Sequence, residues 1–399
     1  MLESFREVGE EHLDADASHR LRDRHAAYYL AHPAPPDRAL SAPEQTARHL
    51  AIEAEFDNYV AAIEHSLAHG RLEAAIRLLE TLRTTWTSRG PREVERRLIR
   101  TIAERVEREA PQIDPAAHIG LLRMLGTVHI RVSEYAAAYA VCERAIEVAR
   151  RADVPDGVAV ALSALSTCAG FLGRLDECLA LNERVLALAS EENLVLRERA
   201  YLGIGAVHWG RGDLESAERA YERAATVSVR LHGGEIDTHL LANLARVAMD
   251  AGRHDESMTR LGEAMRLSRR VHDEFGLAEA LSLVSRYHWL KGQIEAARST
   301  GREALLRARA CDFHHFSLAA LSQQALILVD AGELVAAATL LAATSGLDRV
   351  ARTIDARDAD AARTTLRARL APAAYERAWA KGLTMNTDEA FRLALSLES

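Results

Sequence analysis

A six-residue motif that returns at regular intervals constrains the fold of this chain more than any other feature. Each copy starts with Gly and ends with a small residue, as in Gly212-Asp-Leu-Glu-Ser-Ala217. Five evenly spaced copies start at Gly173, Gly212, Gly252, Gly292 and Gly332. Ser133 takes the Gly position one further period upstream, and Gly70 starts another copy. A fixed period of about 40 residues predicts a solenoid, whose stacked units usually form a binding surface.

Each repeat predicts two helices, as the unit from 198 to 231 illustrates. A stripe at the i, i+3, i+4, i+7 spacing of a helix runs from Tyr201 to His208, and a second one runs from Ala217 to Ala225. Gly212 separates the two stripes, and Asp213 is placed to cap the second helix. Neither helix can bury its stripe alone, so the units must stack.

Composition and charge limit the classes of protein to which this chain can belong. The 399 residues are 48% hydrophobic and 27% charged, and they are rich in Ala, Leu, Arg and Glu, which favours helix. The net charge of −8 is spread along the chain without a basic stripe, so we expect no direct nucleic-acid partner. The charged N-terminus and the absence of a long apolar run predict neither a signal peptide nor a membrane span. Four scattered Cys predict reduced packing residues, and together these features predict a cytoplasmic protein.

The sequence shows no complete motif for catalysis, for cofactor binding or for metal binding. The sequence contains no Gly-x-x-x-x-Gly-Lys-Ser/Thr loop and no His-Glu-x-x-His. His65 and His69 are spaced i, i+4 and could share a metal, but no third ligand is near them in sequence, so we interpret them as a solvated helix end. His314 and His315 are interpreted as surface residues of a turn between repeats. We therefore predict no enzyme activity, no cofactor and no metal.

The repeat resembles the tetratricopeptide repeat (TPR). That family has small residues at places 8, 15, 20 and 27 of its repeat, and this chain has Gly205, Gly212, Ala217 and Ala224 there. The resemblance covers 117–345 and implies an all-α, right-handed superhelical solenoid of about eight helical pairs with irregular helical caps. The period is longer than the roughly 34 residues of the standard repeat. We expect longer helices or longer turns, such as 153–157 and 273–276, to hold the excess.

Three further segments resemble the sensor regions of AfsR-like and LuxR-type bacterial transcriptional regulators, which belong to the NB-ARC, STAND class. These segments are Met1–Val8, Glu53–Asn58 and Ala378–Gly382. The resemblance implies a TPR module that senses a ligand or partner and passes the signal to an attached ATPase and DNA-binding region. The alternative is a standalone TPR scaffold that binds a peptide or protein.

Four segments are predicted from these patterns. They are an N-terminal helical segment with a Pro-rich loop, degenerate first helical pairs, the TPR array and a C-terminal helical cap, at 1–43, 44–116, 117–345 and 346–399.

The TPR resemblance also implies which side chains line the concave groove. Places 2, 5, 9 and 12 of the first helix face the groove in TPR arrays, and place 6 adds a donor here. The candidate binding residues are Arg199, Trp209, His239, Asn243, Arg246, Met249, Glu279, Arg286 and Trp289. Aromatic rings offer apolar area and Arg binds carboxylate or phosphate in a bidentate manner, so we expect a protein, a peptide or a small anionic ligand.

Trp209, Arg246, Arg286 and Trp289 are expected to form one patch that is open to solvent or ligand. The sequence is equally compatible with Trp rings that pack between repeats and with Arg side chains that pair with acids.

Overall fold

The computed structural model describes residues 14–32, 42–86, 90–109, 112–311, 313–345 and 354–396. These ranges contain 20 helices and no strand, which confirms the all-α solenoid class. The Met1–Val8 segment and nearly all of the predicted Pro-rich loop lie outside the described residues. None of the described helices is both long enough and apolar enough to cross a membrane.

The chain divides into two compact units, Met1–Trp86 with Pro91–Leu125 and Thr87–Gly90 with Gly126–Ser399. The helices that begin in the first unit are α1 (Ala15–Ala31), α2 (Ala42–Ala54), α3 (Phe56–Ala68), α4 (Leu72–Arg83), α5 (Glu93–Glu109) and α6 (Pro115–Arg131). The fully buried side chains of this unit are mostly aliphatic and include Ile63, Ile76, Leu79, Ile99 and Ile102.

The second unit is a row of helical pairs followed by three further helices. Its pairs are α7 (Tyr135–Arg151), α8 (Pro155–Phe171), α9 (Leu175–Leu188), α10 (Leu194–Gly210), α11 (Leu214–Leu231), α12 (Thr238–Asp250), α13 (His254–Val271), α14 (Glu274–Leu290), α15 (Ile294–Ala310), α16 (His314–Asp330) and α17 (Leu334–Ala343), with α6 before them. The last three helices are α18 (Ile354–Arg369), α19 (Pro372–Thr384) and α20 (Thr387–Ser396).

The repeated Gly ends the first helix of each pair in a left-handed backbone conformation. The Gly residues of the six Gly-led motifs have φ between +69° and +86°, and Ser133, which replaces Gly in one copy, has φ +62°. At Gly212 the backbone N–H bonds to the Trp209 carbonyl at 2.9 Å, and the Asp213 N–H bonds to the His208 carbonyl at 3.0 Å. This is the Schellman arrangement, which satisfies the last carbonyls of a helix. The Gly residues recur along the sequence because each first helix needs a residue in the left-handed backbone conformation at its end.

The small residue of the first helix lets the second helix approach it. A Cβ at Gly205 of α10 would lie 2.4 Å from the ring of Tyr221, which is fully buried on α11. The predicted cap is confirmed, because Asp213 accepts the Ser216 N–H at 3.0 Å. Long helices of 17 and 18 residues hold the extra length of the repeat.

Two predicted turns need correction. Pro155 begins α8 and Glu274 begins α14, so the predicted long turns at 153–157 and 273–276 are short. In the first case Pro is pre-organised for the start of a helix. Helix α5 begins at Glu93, two residues after Pro91. The buried Glu95 accepts the Arg92 N–H at 2.6 Å and so fixes that start.

The cysteines are packing residues, as predicted. Cys142, Cys168, Cys178 and Cys311 are buried free thiols. The last described helix, α20, is capped at its start. Asn386 accepts the Glu389 N–H, and Glu389 accepts the Asn386 N–H, both at 2.9 Å. This reciprocal pair is a capping box at the start of α20.

Candidate functional site

The nine candidate residues all lie on the first helices α10, α12 and α14 of three successive pairs. We call the side of these helices that carries them the first-helix surface. Its exposed or partly exposed members are Arg199, His239, Asn243, Arg246 and Trp289. Its buried members are Trp209, Met249, Glu279 and Arg286, which are 2% to 9% exposed. Met249 belongs to the apolar core between α12 and α14.

Glu279 joins α14 to α12 through two charged partners. Its carboxylate accepts a hydrogen bond from His239 Nδ1 at 2.6 Å and another from Arg246 Nη2 at 3.0 Å. Arg246 also donates from Nη1 to Asn243 Oδ1 at 2.8 Å. Side chains from two successive repeats therefore form one connected network.

The network sets the charges at its centre. Burial alone would lower the pKa of His239, but the adjacent Glu279 carboxylate raises it to about 9. Burial would raise the pKa of Glu279, but His239 and Arg246 lower it to about 2. At neutral pH the three side chains are all ionised and carry a net positive charge.

Each Trp of the first-helix surface donates to an Asp of the next repeat. Trp209 Nε1 donates to Asp250 Oδ2 at 2.8 Å, and Trp289 Nε1 donates to Asp330 Oδ2 at 2.7 Å. The Arg246 guanidinium also lies 5.2 Å from the centre of the Trp209 ring. Sequence reasoning missed both Asp residues, although the equal offset between Trp and Asp in the two pairs was a usable signal.

Arg286 lies between two acids. Its Nη2 is 3.5 Å from Asp250 Oδ1 and 3.1 Å from Asp358 Oδ2, and its side chain is only 7% exposed. Asp358 belongs to α18, which lies outside the repeats, so the C-terminal part of this unit covers Arg286. Asp358 could not be found from the repeat pattern, because it occupies no repeat position.

The expected open patch therefore needs correction at two positions. Trp209 and Arg286 are buried, because Asp250 and Asp358 pair with them, whereas Arg246 and Trp289 keep part of their surface. Both Arg residues pair with acids, as the alternative interpretation supposed. The binding role of the nine residues stays a prediction.

An aromatic cluster adjoins the first-helix surface. The Phe275 ring lies 4.6 Å from His239, 5.7 Å from Phe313 and 4.9 Å from Phe316. His315 contacts the Phe171 ring at 4.8 Å, and burial lowers the pKa of His315 to about 4. His314 and His315 are thus half-buried in the first turn of α16, which corrects their interpretation as surface turn residues.

Two turns that are far apart in sequence meet beside this cluster. Ser133 Oγ lies 3.0 Å from His314 Nδ1, and Arg131 Nη1 donates to the Cys311 carbonyl at 3.1 Å. These pairs are separated by 181 and 180 residues. In a row of pairs that stack on their neighbours, such contacts require the row to curve back on itself.

A separate cavity of about 520 Å³ lies between α7, α8 and α9. Its walls include Tyr139, Glu177, Leu181 and Arg184. None of the nine candidate residues lines it, so it offers a second location that binding experiments must separate from the first-helix surface.

Comparisons with known proteins give one sequence match and several distant structural ones. The MalT-like TPR region family matches residues 110–284, a stretch that carries the His239–Glu279–Arg246 network. None of the curated proteins matches the chain.

Three solved structures illustrate the structural matches. The chain is 16% identical to the Rap conjugation gene regulator of the plasmid pLS20 in complex with the Phr* peptide, with a TM-score of 0.48 over 79% of this chain and 75% of that chain. It is 10% identical to the apo quorum sensor NprR from B. thuringiensis, with a TM-score of 0.47 over 80% of this chain and 90% of that chain. It is 13% identical to a STAND protein with a TPR sensor from Pyrococcus horikoshii, with a TM-score of 0.43 over 86% of this chain and 54% of that chain.

Proposed function

We propose that this chain is a non-enzymatic sensing module whose first-helix surface binds an acidic peptide or an acidic segment of a protein partner. The observation that carries the proposal is the contact between Asp358 and Arg286. In that contact an acid from α18, which lies outside the repeats, pairs with Arg286, one of the nine candidate residues. A carboxylate on a partner peptide would use the same chemistry, since Arg binds carboxylates in a bidentate and charge-assisted manner.

The remaining charges of the surface support an acidic ligand. Arg199 is exposed, and His239 and Arg246 are partly exposed. His239 is protonated at neutral pH because Glu279 raises its pKa to about 9. The partly exposed Trp289 adds apolar contact area beside these charges.

Within this proposal the module serves a cytoplasmic transcriptional regulator of the AfsR-like or LuxR-type class. Residues 117–345 form the binding array and 346–399 the cap, and binding is coupled to an attached ATPase and DNA-binding region. The MalT-like TPR match and the resemblances at Glu53–Asn58 and Ala378–Gly382 support this assignment. A standalone scaffold that binds a peptide or protein is the alternative, and it uses the same surface.

Selection from a displayed library of random dodecapeptides tests the proposal. We expect wild-type protein to enrich peptides rich in Asp and Glu, and Arg246→Ala to weaken the affinity of the enriched peptides more than about tenfold, because charge-assisted contacts are lost. Matched controls are Arg223→Ala on the exposed side of α11 and Arg184→Ala at the separate cavity.

Both controls should leave the affinity unchanged. Enrichment without acidic residues, or an equal loss with Arg184→Ala, would contradict the proposed site. Circular dichroism of each variant shows whether its helices are intact.

A further inference from the structure

Three histidines of the first unit come together although they are distant in sequence. His19 lies in α1, His65 lies near the end of α3, and His69 follows the last residue of α3. One ligand nitrogen from each ring lies within 4.8 Å of the others. The interpretation of His65 and His69 as a solvated helix end is therefore wrong at His65, which is buried. A third candidate ligand, which the sequence did not place near them, is His19.

Asp23 adds a carboxylate one helical turn after His19. His65 Nε2 lies 2.8 Å from Asp23 Oδ1, and His19 Nε2 lies 3.5 Å from Asp23 Oδ2. The pairs His19–Asp23 and His65–His69 each have the i, i+4 spacing that places two side chains on one helix face. The two pairs face each other across the packed helices α1 and α3.

The surroundings orient two of these groups. His69 Nδ1 contacts the His65 carbonyl at 2.8 Å, so the neutral ring carries its proton on Nδ1 and presents the lone pair of Nε2. Metal-bound His residues are usually held in this way by a backbone carbonyl or carboxylate. Arg71 Nη1 donates to Asp23 Oδ1 at 2.7 Å, which fixes that carboxylate and leaves Oδ2 on the side of His19.

We propose that His19, His65 and His69 bind one zinc-class divalent ion, and that the neighbouring Asp23 carboxylate offsets part of its charge. Three imidazole nitrogens, with a water molecule in the fourth tetrahedral position, are a donor set that suits Zn²⁺. Metal–nitrogen bonds of about 2.0–2.1 Å bring tetrahedral ligand atoms to about 3.4 Å apart, so the group must close by roughly 1.4 Å. His19 and His69 are exposed rings at the ends of rotatable side chains, and they can make that movement.

The ion would link α1 to α3. Of the 17 residues of α1, only Ala26 and Tyr29 are buried, so its packing is thin. An ion held by both helices stabilises their contact by mass action, since it binds the folded arrangement preferentially. This inference concerns the first unit and does not depend on the proposed function.

Titration of chelator-treated full-length protein with ZnCl₂, and with CoCl₂ as a spectroscopic probe, tests the site. We expect one ion per chain and the intense visible absorption of tetrahedral Co²⁺, which added Zn²⁺ removes. His19→Gln and His69→Gln should each weaken Zn²⁺ binding by more than about tenfold, because loss of a direct ligand exceeds the effect of losing an outer hydrogen-bond partner.

The matched control is His32→Gln, which alters an exposed His at the end of α1. This variant should bind Zn²⁺ like wild type, and Zn²⁺ should raise the unfolding midpoint of wild type and His32→Gln but not of His19→Gln. Equal affinities for His19→Gln and His32→Gln, or a Co²⁺ complex with only the weak absorption of octahedral coordination, would overturn the proposal.

Discussion

Gly252 and Gly262 show how the backbone conformation at one residue determines whether an added Cβ lowers or raises the stability of the fold. Gly252 ends α12 with φ +77°, whereas Gly262 lies within α13, and a Cβ at either position would meet open space. Packing is therefore equal at the two sites, and only the backbone conformation differs. The same left-handed turn recurs at every Gly of the repeat motif, which is why the motif persists in the sequence.

Gly252→Ala should lower the free energy of unfolding by about 1–2 kcal/mol, because a Cβ is unfavourable in the left-handed region. Gly262→Ala should raise it by roughly 0.5–1 kcal/mol, because Ala is the better helix former. Urea unfolding followed by circular dichroism measures both. Shifts of the same sign would show that the φ angle does not explain the periodic Gly.

The pair His239–Glu279 makes stability depend on pH. The folded-state pKa of His239 is raised from 6.5 to about 9, so the stabilisation from its charge is complete below pH 6.5 and is lost as the pH rises through about 9. The difference in free energy of unfolding between wild type and His239→Gln should therefore shrink between about pH 6 and about pH 10. Urea titrations of both proteins measure it, and a constant difference would contradict the assigned charge pair.

At the scale of elements, what the sequence reveals depends on whether a contact is local or periodic. The helical pairs and the Asp213 cap follow from spacing within a single repeat, and the sequence predicts them. The Trp209–Asp250 contact repeats as Trp289–Asp330, so it was predictable in principle.

Contacts that occur only once in the chain produce no periodic pattern in the sequence. Asp358 reaches Arg286 across 72 residues, and His19 meets His65 from a different helix, and neither separation belongs to the repeat. The burial of Arg286 and the third histidine therefore appear only in the structure. Both contacts involve helices near the chain ends, where the pattern that allows prediction is lost.

At the scale of the whole molecule, α18 connects the C-terminal segment of the second unit to several repeats. Asp358 pairs with Arg286 of α14, Arg369 Nη1 donates to the Val329 carbonyl of α16 at 3.2 Å, and Arg357 approaches the turn at Gly212. Under the proposed function, α18 would compete with the acidic ligand for Arg286.

Competition between Asp358 and a bound acidic peptide gives the most direct test of the account. Asp358→Asn removes the competing charge, whereas Asp360→Asn changes an exposed acid on the same helix and serves as the matched control. The probe is a fluorescein-labelled acidic peptide from the library selection, and anisotropy gives its Kd. We expect Asp358→Asn to tighten binding by about fivefold, or about 1 kcal/mol, and Asp360→Asn to leave it unchanged. Unchanged binding in both variants, or equal tightening in both, would contradict an acid-binding site at Arg286.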